Sequence, residues 1–183
     1  MALLHKAEIR PTKLELLTTW LPAQKWYTGP AEPEVTRIAA ARFDDPAGEV
    51  GIEIMLVRVG DGPVLHTPLT YRGAPLPGGE EWLAGTTEHS YLGPRWVYDA
   101  AGDPVARAVI AAAIRTGAQQ AEEELRAPDG TLTTRVPDMK LHGTGGSGAS
   151  VEIIRFPSDA MANTLTGVWP GQDTPLALAR LLP

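Results

Sequence analysis

The stretch VTRIAAARFDDPAGEVGIEIMLVRVGDGPVLHTPLTYR, residues 35–72, decides the fold class. Val35 to Phe43 alternates, with Val35, Arg37, Ala39, Ala41 and Phe43 on one face and Thr36, Ile38, Ala40 and Arg42 on the other. Asp44 to Gly48 is turn chemistry. From Val50 to Val59 the alternation resumes, with Val50, Ile52, Ile54 and Leu56 opposite Glu53, Met55, Val57 and Val59. A period of two over such runs predicts strands. Asp61-Gly62-Pro63 turns the chain again, and Val64 to Arg72 reads as a third strand. Pro68 inside it has no N–H to donate, which marks an edge or a bulge. Three runs joined by short turns predict an antiparallel meander.

Upstream, Thr12-Lys13-Leu14-Glu15 has the form of a capping box and predicts a helix start at Thr12. Leu14, Leu17, Trp20 and Leu21 then fall at helical spacing and make one face apolar. Pro22 limits this helix, because the residue before a proline is pushed out of the α region. Downstream, Gly73 to Gly79 is a loop, and Glu88–Leu92 and Trp96–Tyr98 read as short strands. Asp103-Pro104 opens a second helix, with Asp as N-cap and Pro in the first turn. Its apolar positions are Val105, Val109, Ala112 and Ala113, and it ends at Gly117 or runs on to Glu124. The remainder reads as β: Glu123–Arg126 and Thr131–Val136 around a turn at 127–130, then Met139–His142, Ser150–Phe156 and Thr164–Trp169. The state of Leu176–Leu182 is ambiguous. The pattern is α+β, with an amphipathic N-terminal helix against an antiparallel sheet, one further helix and a C-terminal β unit. We expect a single domain over residues 1–183; a division near Pro137-Asp138 would separate 1–136 from a small unit, 137–183.

At 183 residues the chain is long enough to bury a sizeable core. Glycine and proline, 19 and 17 residues, make about a fifth of it, which predicts short elements and many turns. Cysteine is absent, so no disulfide, thiolate metal site or Cys nucleophile exists, and a reducing compartment, the cytoplasm, is expected. The first ten residues lack the long apolar run of a secretory signal. The longest apolar run, Ala108 to Ile114, is far shorter than a membrane span requires. Net charge is −6 and the basic residues are scattered singly, so neither nucleic acid nor membrane is an expected partner.

Candidate chemistry is thin. HGTGGSGAS, residues 142–150, could cradle phosphate with clustered N–H groups. No Lys follows the glycines, however, and the next segment is β-patterned, so the segment Gly143 to Gly148 reads first as a connection. Of His5, His66, His89 and His142, none has zinc-helix spacing. His66 could meet Glu53 or Glu88 across a sheet as a small catalytic site. Serine is scarce and no G-x-S-x-G occurs. The five tryptophans, Trp20, Trp26, Trp82, Trp96 and Trp169, carry large contact area suited to a core, an interface or a sugar ring. Trp20 lies on the helix stripe and belongs to the core. Trp26 and Trp82 lie in turns, free for a partner.

Three short motifs resemble a known family. LPAQKWYTG (21–29), after an amphipathic helix, resembles the LP-x-x-R-W-F-x-G-K opening of the N-terminal cap domain of actinobacterial maltokinases. TPLTYRGAPLP (67–77) is similar to that cap's PL-x-Y-R strand, and WVYDAAGDPVARAVI (96–110) to its segment leading through DP into a helix. Order and spacing agree over about residues 12–120. Pro30 stands where the family has Lys, and Lys25-Trp26-Tyr27 where it has Arg-Trp-Phe. The resemblance implies a cystatin-like cap: a helix against a curved antiparallel sheet. No HGD or DFE string of the kinase body occurs, so the resemblance argues against independent kinase activity, and no cofactor, metal or catalytic residue is expected.

The expected function is therefore a stand-alone, non-catalytic cap-like module that binds or regulates a protein partner, a sugar kinase or another enzyme of maltose, trehalose or glucan metabolism. The surface candidates are Lys25, Trp26, Tyr27, Tyr71, Arg72, Trp82 and Trp96. The alternatives are a small-molecule binder for maltose or a glucan, and a small enzyme built on His66, Glu53 and Glu88.

Overall fold

The structure, a computed structural model, describes residues 2–5, 8–127 and 129–183. Its strands and helices are β1 (Ala2–His5), β2 (Ile9–Arg10), α1 (Lys13–Trp20), β3 (Val35–Phe43), β4 (Gly51–Val59), β5 (Val64–His66), β6 (Leu69–Arg72), β7 (Leu83–His89), β8 (Gly93–Asp99), α2 (Pro104–Thr116), β9 (Glu123–Arg126), β10 (Leu132–Arg135), β11 (Lys140–Gly143), β12 (Ser150–Asp159), β13 (Thr164–Trp169) and β14 (Gln172–Leu182). The fold is α+β, as the pattern predicts. A strongly curled antiparallel sheet runs β2-β7-β8-β6-β4-β3, with β5 also paired to β4. A second sheet runs β11-β13-β14-β12, and a small third one β1-β9-β10. Pro128, in the expected turn at 127–130, lies outside the described residues. No helix among those described is long and apolar enough to cross a membrane.

Both faces of the large sheet are covered. Leu16, Leu17, Trp20 and Leu21 close one face over Met55, Val57, Leu69 and Val97. Ile52, Ile54 and Leu56 face the other way, into a core shared with α2 and the C-terminal sheet. The expected strand is therefore present, and Ile52 to Val57 is buried on both faces, whereas Arg58 near its end is exposed.

Four expectations need correction. Glu88–Leu92 is not one strand, because β7 ends at His89 and residues 90–92 turn the chain into β8. Val64 to Arg72 is two strands, because Pro68 cannot donate; both keep one register against β4, with His66 opposite Leu56 and Leu69 opposite Glu53. In β3 the register shifts between Arg37 and Ala39, so Ile38 is an extra residue. That bulge places Val35 in the α1 cluster with Ala40, away from Ala39, Ala41 and Phe43. On α2 the buried stripe is Ala106, Ile110, Ala113 and Ile114, whereas Ala112 is exposed.

The helix ends follow the local chemistry. Thr12 and Glu15 form the reciprocal capping box at α1. Asp103 accepts from the Val105 N–H at the start of α2, and Gly117 closes it in the left-handed region at φ 70°. The ambiguous tail is strand β14, which pairs with both β12 and β13.

Candidate functional site

The segment after α1 is folded by its own aromatic residues. Leu21–Ala23 makes one tight turn, and Tyr27 N–H donates to the Gln24 carbonyl. This returns Trp26 to Trp20, with ring centroids 6.0 Å apart, and sets Tyr27 edge-on to Trp26 at 6.4 Å. The Tyr27 hydroxyl donates to the Pro30 carbonyl and lies over Gly29, where a Cβ would stand 2.3 Å from the phenol oxygen. The W-Y-x-G string is thus a self-packing loop. Trp26 and Tyr27 are half-buried, and Lys25 is exposed.

The face of Trp26 is occupied. The Arg155 guanidinium sits 4.7 Å from its ring centroid. Arg155 also makes a two-point ion pair with Asp99, whose Oδ1 accepts from the Ala101 N–H. Asp99 is buried, at 1% exposure, so the pair is shielded from water. Arg155 comes from the C-terminal sheet, where the β12–β14 register shifts between Ile153 and Ser158. The irregularity turns Arg155 out of the ladder toward the large sheet. It joins the loop after α1, the end of β8 and β12 at one point.

Tyr71 and Arg72 are committed on opposite faces of β6. The Tyr71 hydroxyl donates to Glu53 Oε2 at 2.6 Å, Lys13 Nζ to Glu53 Oε1 at 2.6 Å, and Arg42 lies 3.9 Å from the same carboxylate. Burial alone would raise the Glu53 carboxyl, but Arg42 and Lys13, with the hydrogen bonds from Lys13 and Tyr71, outweigh it and hold it at about 2. Burial and the Glu53 charge in turn push the Tyr71 phenol well above its usual range. Arg72 forms a two-point pair with Asp103 at 2.7 Å for each bond, and Thr70 donates to the same carboxylate. Asp103 opposes its own burial through Arg72 and Thr70, which hold it below the usual carboxylate range. The Y-R and D-P motifs therefore meet: a strand arginine clamps the capping carboxylate of α2.

Trp82 and Trp96 are half-buried. The Trp82 ring lies against Gly102, where a Cβ would fall 1.9 Å from it, so a glycine there is required. Trp96 sits opposite Arg72 and Thr86 in the ladder.

His66, Glu53 and Glu88 do not converge. His66 shares the face of its partner Leu56, Glu53 points to the α1 side, and Glu88 is exposed near the far edge. His66 is fully buried, with Nδ1 2.9 Å from the Leu178 carbonyl and 3.1 Å from that of Ile154, so Nδ1 carries the proton. Burial first, then the Arg155 charge, lower its pKa to about 3. It ties β5 to two strands of the C-terminal sheet.

The glycine segment is no phosphate cradle. The N–H groups of Gly143, Thr144, Gly145, Ser147 and Ala149 are taken by Ala118, Thr164, Ile114, Asn163 and Leu182. A Cβ on Gly143 would lie 2.0 Å from the Ala113 carbonyl. The glycines let the chain cross the C-terminal end of α2, whose dipole repels anions. Among the described residues no three His, Asp or Glu side chains gather as around a metal ion.

Sequence reasoning missed Arg155, Lys13 and the ion pair that Asp99 makes. The one local signal was a charge inside the apolar run VEIIRF. The family motifs, in contrast, all proved to carry internal contacts: the Trp26 loop, the Tyr71–Glu53 cluster and the Arg72–Asp103 clamp. Residues 20–103 match the family model of the maltokinase N-terminal cap domain. No curated protein matches the chain.

Proposed function

We propose, taking the cap-domain match over residues 20–103 as the premise, that this chain is a non-catalytic cap-like module that binds or regulates a partner enzyme of maltose, trehalose or glucan metabolism, a sugar kinase first of all. The observation that carries the reading is the fate of the motif residues. Trp26, Tyr27, Tyr71, Arg72 and Trp82 are committed to contacts inside the cap body and, among the described residues, form no cluster of nucleophile and base. Fold alone does not set activity, so the inference rests on this site-level reading together with the family match. Lys25, Trp96 and the exposed edges of Trp26 and Tyr27 are the proposed contact residues. A cytoplasmic setting is supported by a chain without cysteine.

The test is capture with the tagged chain from its native lysate, read by quantitative mass spectrometry. Specific enrichment of a sugar kinase or glucan-metabolising enzyme, with a change in that enzyme's activity on adding the chain, is the expected result. Enrichment of neither overturns the reading. Tryptophan fluorescence titrated with maltose and maltodextrin is expected to stay flat, because Arg155 already covers Trp26 and Gly102 lies against Trp82. A saturable change would favour a sugar-binding protein instead.

A further inference from the structure

Beyond the cap motifs, the two large sheets part at one end and leave a groove of about 430 Å³. Its walls are Ile38 from the β3 bulge, Val64 at the start of β5, and Trp169 and Leu176 from the C-terminal sheet. Phe156, on the irregular stretch of β12, stands at the groove with 41% of its surface exposed. Trp169 is a buried member of the core on this face, and Ile38, Val64 and Leu176 pack against it, so the groove opens at the rim of that core.

One charged side chain lines this groove. Arg58 continues the row Ile52, Ile54 and Leu56, three fully buried aliphatic residues on the face that the C-terminal sheet covers. The row changes from aliphatic to cationic where the cover ends. Elsewhere the sheet seams neutralise their arginines: Arg37 sits on Asp138, Arg72 on Asp103, and Arg155 on Asp99. Among the described residues Arg58 has no such carboxylate. The groove therefore offers an apolar, aromatic wall next to an uncompensated guanidinium, which prefers a carboxylate presented beside an apolar group. Pro63, Pro157 and Pro170 also line it, and prolines hold a rim in one shape and reduce the entropy lost on binding.

We infer that this groove is the contact surface for a segment of the partner protein in which a large apolar side chain stands next to a carboxylate. The inference rests on the partner-binding reading and assigns that reading a surface. Its size suits a few residues of peptide or one side-chain pair.

The test uses two peptides, acetyl-GLEG-amide and its carboxamide twin acetyl-GLQG-amide, titrated into the isotope-labelled full chain. Movement of the Trp169 indole and Arg58 Nε–H signals is followed by NMR. The carboxylate peptide is expected to bind about threefold tighter than its twin, the ratio of a partly exposed ion pair. Arg58→Gln, an exposed position, should abolish that ratio, and Phe156→Ala should weaken both peptides alike. The inference is overturned if neither peptide moves Trp169 at concentrations of about 10 mM, where even the weakest specific contacts register. It is equally overturned if the twins bind alike, or if the ratio survives in Arg58→Gln. Equal capture of the partner enzyme by the wild type and Arg58→Gln would overturn the groove and leave partner binding standing.

Discussion

The two faces of the large sheet are sealed by unlike means. On one, an eight-residue helix, α1, covers Met55, Val57 and Leu69, and it is pinned by an ionic cluster around Glu53. On the other, α2 and a four-stranded sheet cover Ile52, Ile54 and Leu56, and one buried polar link is the neutral imidazole of His66. A helix that short cannot hold itself in water, so its position depends on what it packs against and pairs with. The larger cover buries far more apolar surface, and its polar ties are the neutral His66 imidazole together with the ion pairs Arg72–Asp103 and Arg155–Asp99. The α1 face thus relies on a carboxylate that must stay ionised, and the other face adds to its ion pairs a base that must stay neutral. Acid attacks both, but at different pH.

The largest effect should come from His66. Its folded pKa of about 3 lies below its unfolded value, near 6.5. Between those values the unfolded chain binds more protons, so stability is complete above pH ~6.5 and falls as pH drops toward 3. The whole span amounts to about 5 kcal/mol, of which about 2 kcal/mol is lost by pH ~5. Urea denaturation of the wild type and His66→Gln at pH 7 and pH 5 separates this contribution from the rest. The wild type should lose stability over that interval and the variant should be nearly level; equal losses would remove the neutral tie from the comparison.

Glu53 comes next and acts in a lower window. Its folded value of about 2 lies below the ordinary 4.5, so its contribution is complete above pH ~4.5 and disappears as pH falls through 2. Glu53→Gln should cost about 3 kcal/mol at pH 7, because it leaves Lys13 and Arg42 facing each other without the carboxylate. The gap between wild type and variant should hold down to pH ~4.5 and close toward pH ~2. A gap that stays constant to pH 2 would mean that the side chain matters for packing and not for charge.

The difference between the faces was only partly legible in the sequence. Residues 50–59 disclosed the strand and its period of two, but not that both of its faces are covered. The two helix starts were equally plain, because capping chemistry is local. The bulge at Ile38 was hidden by Ala39, Ala40 and Ala41, small residues that suit either face and leave the period without contrast. Glu53 was visible as a lone carboxylate in an apolar run, but its partners come from α1, β3 and β6, and spacing cannot rank them. Arg155 and Asp99 lie 56 residues apart, and no periodicity links them. The glycine segment is the connection its composition predicts, but its place was not legible, because a string of N–H groups says nothing about whether it faces solvent or the end of a helix.

The smallest effect sharpens the contrast between the helices themselves. Thr12 caps α1 through its own oxygen and the returning Glu15 carboxylate, and both bonds are exposed. Asp103 caps α2 with a carboxylate that Arg72 and Thr70 already hold. Thr12→Ala removes one acceptor from a water-accessible helix end, which costs about 1 kcal/mol and lowers Tm by about 3 °C in a chain of this length. Asp103→Ala strands the half-buried Arg72 guanidinium as well as removing the cap, and should cost visibly more in the same thermal scan. If Thr12→Ala proved the worse of the two, the cap would be what holds α1 in place, and the Glu53 cluster would be a consequence of docking instead of its cause.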